Sequence, residues 1–334
     1  MSYMPDKTKT RPPVDAGTAA FAMVAKQALA SYPEAVRGPV QFVTSSENHT
    51  YCVYAPQGRY ALRIHRPQYH SRSEVEAELT WLSQLAAQGI CVPAPVRGLD
   101  DRATQCVRQY GRTFLVALFP WMPGHEPNEA ELMDTYPHIG RLLATLHIAA
   151  RKAGPRLDRP CWDYPDLIVK SPWGSWRANP ELSSADQAII AAALTTIGER
   201  LRHHPRTGRN FGMIHADLRP TNVLLNGEEL TPIDFDDCCY SWYLFDIAAS
   251  LSFLEADPRL GDWLQALLRG YVSASPLTDA DIALLPVFIM LRRIQLLAWM
   301  GSHRNSTYAQ LLNPPLWVQA SVELCRRFLA GALW

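Results

Sequence analysis

Four polar residues crowd one short part of the chain. His215, Asp217 and Asn222 lie in His215-Ala216-Asp217-Leu218-Arg219-Pro220-Thr221-Asn222, and Asp234 heads Asp234-Phe235-Asp236. A hydroxyl becomes a nucleophile when a carboxylate orients it and takes its proton as the new bond forms, and Asp217 suits that task. A hard divalent cation prefers oxygen ligands; Asn222 offers a neutral one from the same loop and Asp234 a charged one. A base and two cation ligands on one rigid unit are what phosphoryl transfer from Mg-ATP needs, because that reaction depends on positioning and charge neutralisation. His215 is expected to brace the loop by hydrogen bonding rather than react, and Arg219 completes the catalytic group. Each residue alone could be an ordinary turn or cap. Together, with Ile233 and Phe235 packing beside Asp234, they form a motif.

Such a unit needs a hairpin behind it. Residues 223–225 and 230–233 read as two strands, with Asn226-Gly227 as the turn. Asn222 opens one strand and Asp234 closes its antiparallel partner, so both ligands fall at the same end. No other strand-like pair is expected in this half, where helical patterns cover 129–152, 184–202, 243–255, 260–273, 279–300 and 315–329. Upstream, a helix over 18–30 precedes strands at 41–43, 50–54 and 60–65. A helix over 73–88 follows, opened by a Ser73-x-x-Glu76 capping box, then strands at 104–109 and 114–119. Pro120-Trp121-Met122-Pro123-Gly124 makes a crossover. The expected class is α+β: a loose arm at 1–17, a small antiparallel-sheet lobe with a helix at 18–119, a hinge at 120–124, and a larger, mainly helical lobe at 125–334.

Composition adds exclusions. Lysine plus arginine (32) equals aspartate plus glutamate (32) in 334 residues, which gives no electrostatic reason for a nucleic-acid or membrane partner. The most apolar helix, around 282–301, is interrupted by Pro286 and Arg292-Arg293, and is expected to be a core helix rather than a membrane span. The seven cysteines are scattered, without a C-x-x-C pair, which suggests reduced thiols and a cytoplasmic home and argues against zinc.

The motifs resemble those of the protein-kinase-like superfamily. More closely, they resemble its aminoglycoside phosphotransferase and choline kinase branch, whose signature is H-x-D. Within that branch the chain is similar to the bacterial phosphotransferase group that includes type II homoserine kinase, hydroxylysine kinase and stress response kinase A. The resemblance spans roughly residues 40–254 and implies a bilobal kinase-like fold, with ATP and Mg²⁺ as cofactors. It makes Asp217 the base, and Asn222 and Asp234 the Mg²⁺ ligands. Asp246 then anchors the catalytic loop. Arg63 stands in for the family's strand lysine, gripping phosphate bidentately, and Glu78 is its partner carboxylate. The phosphate-covering loop falls at 44–49, with Ser45, Ser46 and Asn48 as candidates, although no G-x-G-x-x-G is present. Phe119 and Trp121 border the adenine at the hinge. Asp236 departs from the protein-kinase pattern and could reach a second metal or a substrate ammonium, or be a capping carboxylate.

The acceptor is open at this level. The tryptophans at 162, 173 and 176, among charged residues, could cage an ammonium or simply pack an irregular insertion. A small-molecule hydroxyl acceptor, such as an amino alcohol, hydroxy amino acid, sugar or aminoglycoside-like compound, leads. It is handled by a monomer or homodimer without nucleic acid or membrane. Against it stand a serine/threonine protein kinase resembling stress response kinase A and a nucleotide-binding pseudokinase. No A-P-E element follows Asp234, which disfavours the first; the retained Asp217, Asn222 and Asp234 disfavour the second.

Overall fold

The computed structural model describes residues 16–45 and 48–333. Helix α1 (Ala16–Leu29) leads into strands β1 (Val40–Ser45), β2 (His49–Ala55) and β3 (Gly58–Ile64). Helix α2 (Arg72–Ala87) follows, then β4 (Gln105–Gln109) and β5 (Arg112–Pro120). The five strands form one antiparallel sheet in the order β1-β2-β3-β5-β4. Alternation along β5 shows why the sheet is covered on both faces. Val116 and Leu118 pack with Val24, Ala28 and Leu29 of α1, whereas Ala117 and Phe119 join the cluster holding Val75, Leu79 and Leu82 of α2.

The rest is mainly helical: α3 (Leu132–Arg151), α4 (Tyr164–Ile168), α5 (Ser184–Arg202), α6 (Tyr243–Ala249), α7 (Leu260–Val272), α8 (Asp279–Ser302), α9 (Thr307–Leu311) and α10 (Pro314–Leu329). Helices α3 and α7 press backbone to backbone. A Cβ on Gly140 would lie 1.9 Å from Leu267 O, and one on Gly270 would lie 1.8 Å from Pro137 O. Helix α8 is long and apolar enough to cross a membrane by composition, but it is buried in the protein from Val287 to Ala298. The expected α+β, two-lobed class is the one observed.

Several local expectations are corrected. The cap of α2 is Ser71, which forms its capping box with Glu74; Glu76 instead pairs with Arg72 at 2.7 Å. The 223–233 hairpin consists of β7 (Val223–Asn226) and β8 (Glu229–Pro232), so its two-residue loop is Gly227-Glu228 rather than Asn226-Gly227. A second strand pair exists in this lobe, β6 (Phe211–Ile214) with β9 (Cys239–Trp242). The helix expected over 243–255 stops at Ala249. There Ser250 and Ser252 hydroxyls donate back to Ile247 O and Ala249 O, both at 2.7 Å, in competition with the helical ladder.

Candidate active site

Strand β6 delivers the loop beginning at His215, and the buried Asp246 of α6 holds its start. Asp246 accepts from the backbone N–H of His215 (3.1 Å) and of Ala216 (2.8 Å). It is itself supported by His147 Nε2 at 3.0 Å, whose other ring nitrogen meets the Tyr271 hydroxyl at 2.9 Å. These contacts hold Ala216 in the left-handed region (φ 70°), which a residue bearing a Cβ seldom enters. His215 is fully buried, and burial pushes its pKa down, keeping the ring neutral. Its Nε2 lies 3.0 Å from Ile233 O, and its Nδ1 accepts the Asp217 N–H at 3.3 Å. It therefore ties the loop to the end of the β7–β8 hairpin.

Asp217 sits among three donors. Its Oδ2 accepts from Arg219 Nε (3.1 Å) and Asn222 Nδ2 (2.7 Å), and its Oδ1 from Arg292 Nη2 (2.7 Å). Burial works to raise its pKa, but Arg219 and Arg292 outweigh burial and hold the carboxyl below its ordinary value. Arg219 is steadied in turn by the Tyr308 hydroxyl at 2.7 Å and by the Phe253 and Tyr308 rings. Arg292, buried on α8, also donates to Ser252 Oγ and Gln295 Oε1, both at 2.9 Å. Sequence reasoning took Arg292 only as a charge interrupting an apolar helix. Its one signal was a buried-helix arginine, which must have a partner somewhere.

The hairpin brings the proposed cation ligands together. Ile233 N–H donates to Asn222 O at 2.9 Å, so Asn222 and Asp234 flank the same end. Both amide hydrogens of Asn222 go to Asp217, to its carbonyl (2.9 Å) and its Oδ2, which leaves the amide oxygen for a cation. Asp234 has φ 63°, and about half of its side-chain surface is open. Desolvation in the cleft, and then Asp236, push its pKa up to about 6 against the pull of Arg63, 3.9 Å away. Phe235 locks beneath it, edge-on to Trp81 of α2 and tilted against His215.

Across the cleft, Arg63 on β3 donates to Glu78 Oε1 at 2.5 Å, with both residues buried. The Arg63 guanidinium also lies over the Phe119 ring at 5.1 Å. Asp236 is buried beside His65 (3.6 Å) and His70 (3.8 Å). Burial raises its pKa, but the His65 contact and the charges of Arg63 and His70 prevail and leave it well below the usual carboxylate range. Asp237 accepts from the Tyr69 hydroxyl at 2.9 Å, and burial followed by Asp236 and Asp217 pushes it up to about 8. Among the phosphate-loop candidates, Ser45 ends β1 and is exposed, and Ser46 lies outside the described residues. Asn48 is buried, with its Oδ1 accepting the Arg66 N–H at 3.0 Å, so it braces the strand junction. Trp121 stacks on Arg59 at 5.4 Å, and its N–H is spent on Arg59 O at 3.0 Å, so that group does not present itself to an adenine edge.

A sheet lobe carrying a buried arginine–glutamate pair, joined to a helical lobe with Asp217, Asn222 and Asp234 at one hairpin end, defines a kinase. Residues 40–281 match the profile of the phosphotransferase enzyme family, and the chain belongs to that family. It is similar to the homoserine kinase of Granulibacter bethesdensis, 31% identical over 72% of this chain and 73% of the relative. It is also similar to the amicoumacin kinase of Bacillus subtilis, 25% identical over 76% and 77%. Among solved structures, a microcompartment-associated aminopropanol kinase superposes with a TM-score of 0.85 at 32% identity, covering 93% of this chain and 98% of that one. An amicoumacin kinase in complex with AMP-PNP, Ca²⁺ and Ami superposes at 0.74 with 22% identity, over 90% and 92%. The protein is a phosphotransferase that acts on a small-molecule hydroxyl; the protein-kinase alternative is not favoured.

Proposed function

We propose that the acceptor is a small amino alcohol or hydroxy amino acid and that the cation is Mg²⁺. The observation that carries this is the pairing of the Asp217 site with a carboxylate, Asp237, that has no cation within ion-pair distance among the described residues and only the Tyr69 hydroxyl as hydrogen-bond partner. Burial pushes the pKa of Asp237 up to about 8, so it keeps its proton near neutrality, and an ammonium on the acceptor supplies the charge that favours its ionised form. The aminopropanol and homoserine kinases among the relatives act on molecules of that class.

Asp217 receives the acceptor hydroxyl. Held ionised by two arginines, it is a weak base, and its main work is to orient the nucleophile and accept the proton late, in keeping with a loose transition state. Asn222 and Asp234 hold Mg²⁺, which neutralises charge on the phosphates when bound. Arg63, fixed by Glu78, grips the phosphates from the sheet side. All these groups come from one chain, so a monomer or a homodimer can work, and we place the enzyme in the cytoplasm.

The test is an ATP-consumption screen with 1-amino-2-propanol, ethanolamine, homoserine, sugars, aminoglycosides and a generic protein. The expected result is turnover of amino alcohols, weaker turnover of the same alcohols lacking nitrogen, and a kcat about 10²–10⁴-fold lower in Asp217→Asn. Turnover of the protein substrate alone would overturn the reading.

A further inference from the structure

Behind the phosphate-gripping pair, and sharing only Glu78 with it, lies a group of donors whose unpaired atoms the proposed reaction does not use. His65 follows the end of β3, Glu78 lies on α2, and Asp236 lies in the loop after β8; they are 3%, 0% and 5% exposed. Each offers one ligand atom within 4.8 Å of the other two. Both ring nitrogens of His65, Oε2 of Glu78, Oδ1 of Asp236 and Nε2 of neighbouring His70 are buried without a hydrogen-bond partner among the described residues. His65 Nδ1 stands 3.6 Å from Asp236 Oδ1, and His70 Nε2 stands 3.8 Å from Asp236 Oδ2. These separations are long for hydrogen bonds but suit donors arranged around a common centre. Unsatisfied buried polar atoms are rare in folded proteins, so five of them gathered at one junction call for an occupant.

We propose that His65, Glu78 and Asp236, with His70 as fourth donor, bind a divalent transition-metal ion of the zinc class, separate from the Mg²⁺ held by Asn222 and Asp234. Mixed imidazole and carboxylate donors suit zinc, cobalt or nickel better than the all-oxygen-seeking Mg²⁺ or Ca²⁺. The three buried donors come from three different elements. The ion therefore ties the end of β3, helix α2 and the loop at 234–237 to one another. The Glu78 oxygen it takes is not the one that holds Arg63, whose partner is Oε1. Its role is structural: it keeps α2 in the position that presents Glu78 to Arg63. His70 lines a cavity of about 340 Å³ together with Tyr69, Glu74 and Trp162, which gives the site a route from solvent.

The test uses the full chain, stripped with a chelator and then titrated with Zn²⁺ or Co²⁺ in the absence of nucleotide and Mg²⁺. Metal content is read by mass spectrometry, the donor type by the Co²⁺ absorption spectrum, and folding by circular dichroism. The expected result is one equivalent per chain, Co²⁺ bands without the intense sulfur charge-transfer absorption of a cysteine site, and a rise in Tm with zinc. His65→Ala and His70→Gln should each bind at least about tenfold more weakly; His70, nearer the surface, provides a variant that keeps the fold if His65→Ala does not. No stoichiometric binding, a thiolate spectrum, or equal binding by a folded variant would overturn the proposal and leave a cluster bridged by water.

Discussion

Asp237 shows how a single carboxyl can work against the fold that holds it. Its pKa, pushed up to about 8, exceeds the value it has in the unfolded chain. The folded state therefore binds its proton more tightly, and stability is lost as pH rises from about 4 through 8. Asp237→Asn should raise Tm at pH 8 by about 2–4 °C, an effect that vanishes near pH 4, while raising KM for an amine-bearing acceptor; thermal scans and kinetics at both pH values check this. Asp234 sets a different pH dependence. With its pKa near 6, the carboxyl takes up a proton as pH falls below that value and ceases to be a cation ligand. At limiting Mg²⁺, kcat/KM should fall below about pH 6, and the acid limb should move to lower pH as Mg²⁺ is raised. A limb indifferent to Mg²⁺ would remove Asp234 from the cation site. Asp217, Asn222 and Asp234 were legible in the sequence because their spacing is local. Arg292 was not, since it reaches Asp217 across 75 residues of chain.

At the scale of elements, the sheet, the α2 helix and the hairpin were legible from alternation, periodicity and turn residues, all of them short-range signals. What escaped depended on contacts between distant segments. Strands β6 and β9 are four residues each and pair across the catalytic motif, so neither is recognisable without the other. The α2 cap moved by two residues because Ser71 and Ser73 offer the same chemistry, and only the geometry of the incoming chain chooses between them. The contact of α3 with α7 rests on glycine rather than on side-chain interlocking. Gly270→Ala would drive a Cβ against the Pro137 carbonyl and force the helices apart. The expected loss is about 2–3 kcal/mol, read as a lower denaturant midpoint. Because α3 and α7 supply His147 and Tyr271, the same variant should also lower kcat through the Asp246 support.

Across the whole molecule, the site is assembled from both lobes and from nearly the full length of the chain. Arg63 and Glu78 come from the sheet lobe, Asp217 to Asp237 from the middle, and Arg292 and Tyr308 from the last helices. Arg292→Lys keeps a positive charge but cannot reach Asp217, Ser252 and Gln295 at once. It should lower kcat by about 10²-fold with KM for ATP unchanged, because misplacing a reacting group by an ångström costs about that much. The family profile ends at residue 281, eleven residues short of Arg292. A chain cut just after that point would keep the whole matched segment, yet lose the guanidinium that donates to Asp217 Oδ1. In this chain, matching the shared segment alone therefore does not establish that the group around Asp217 is whole.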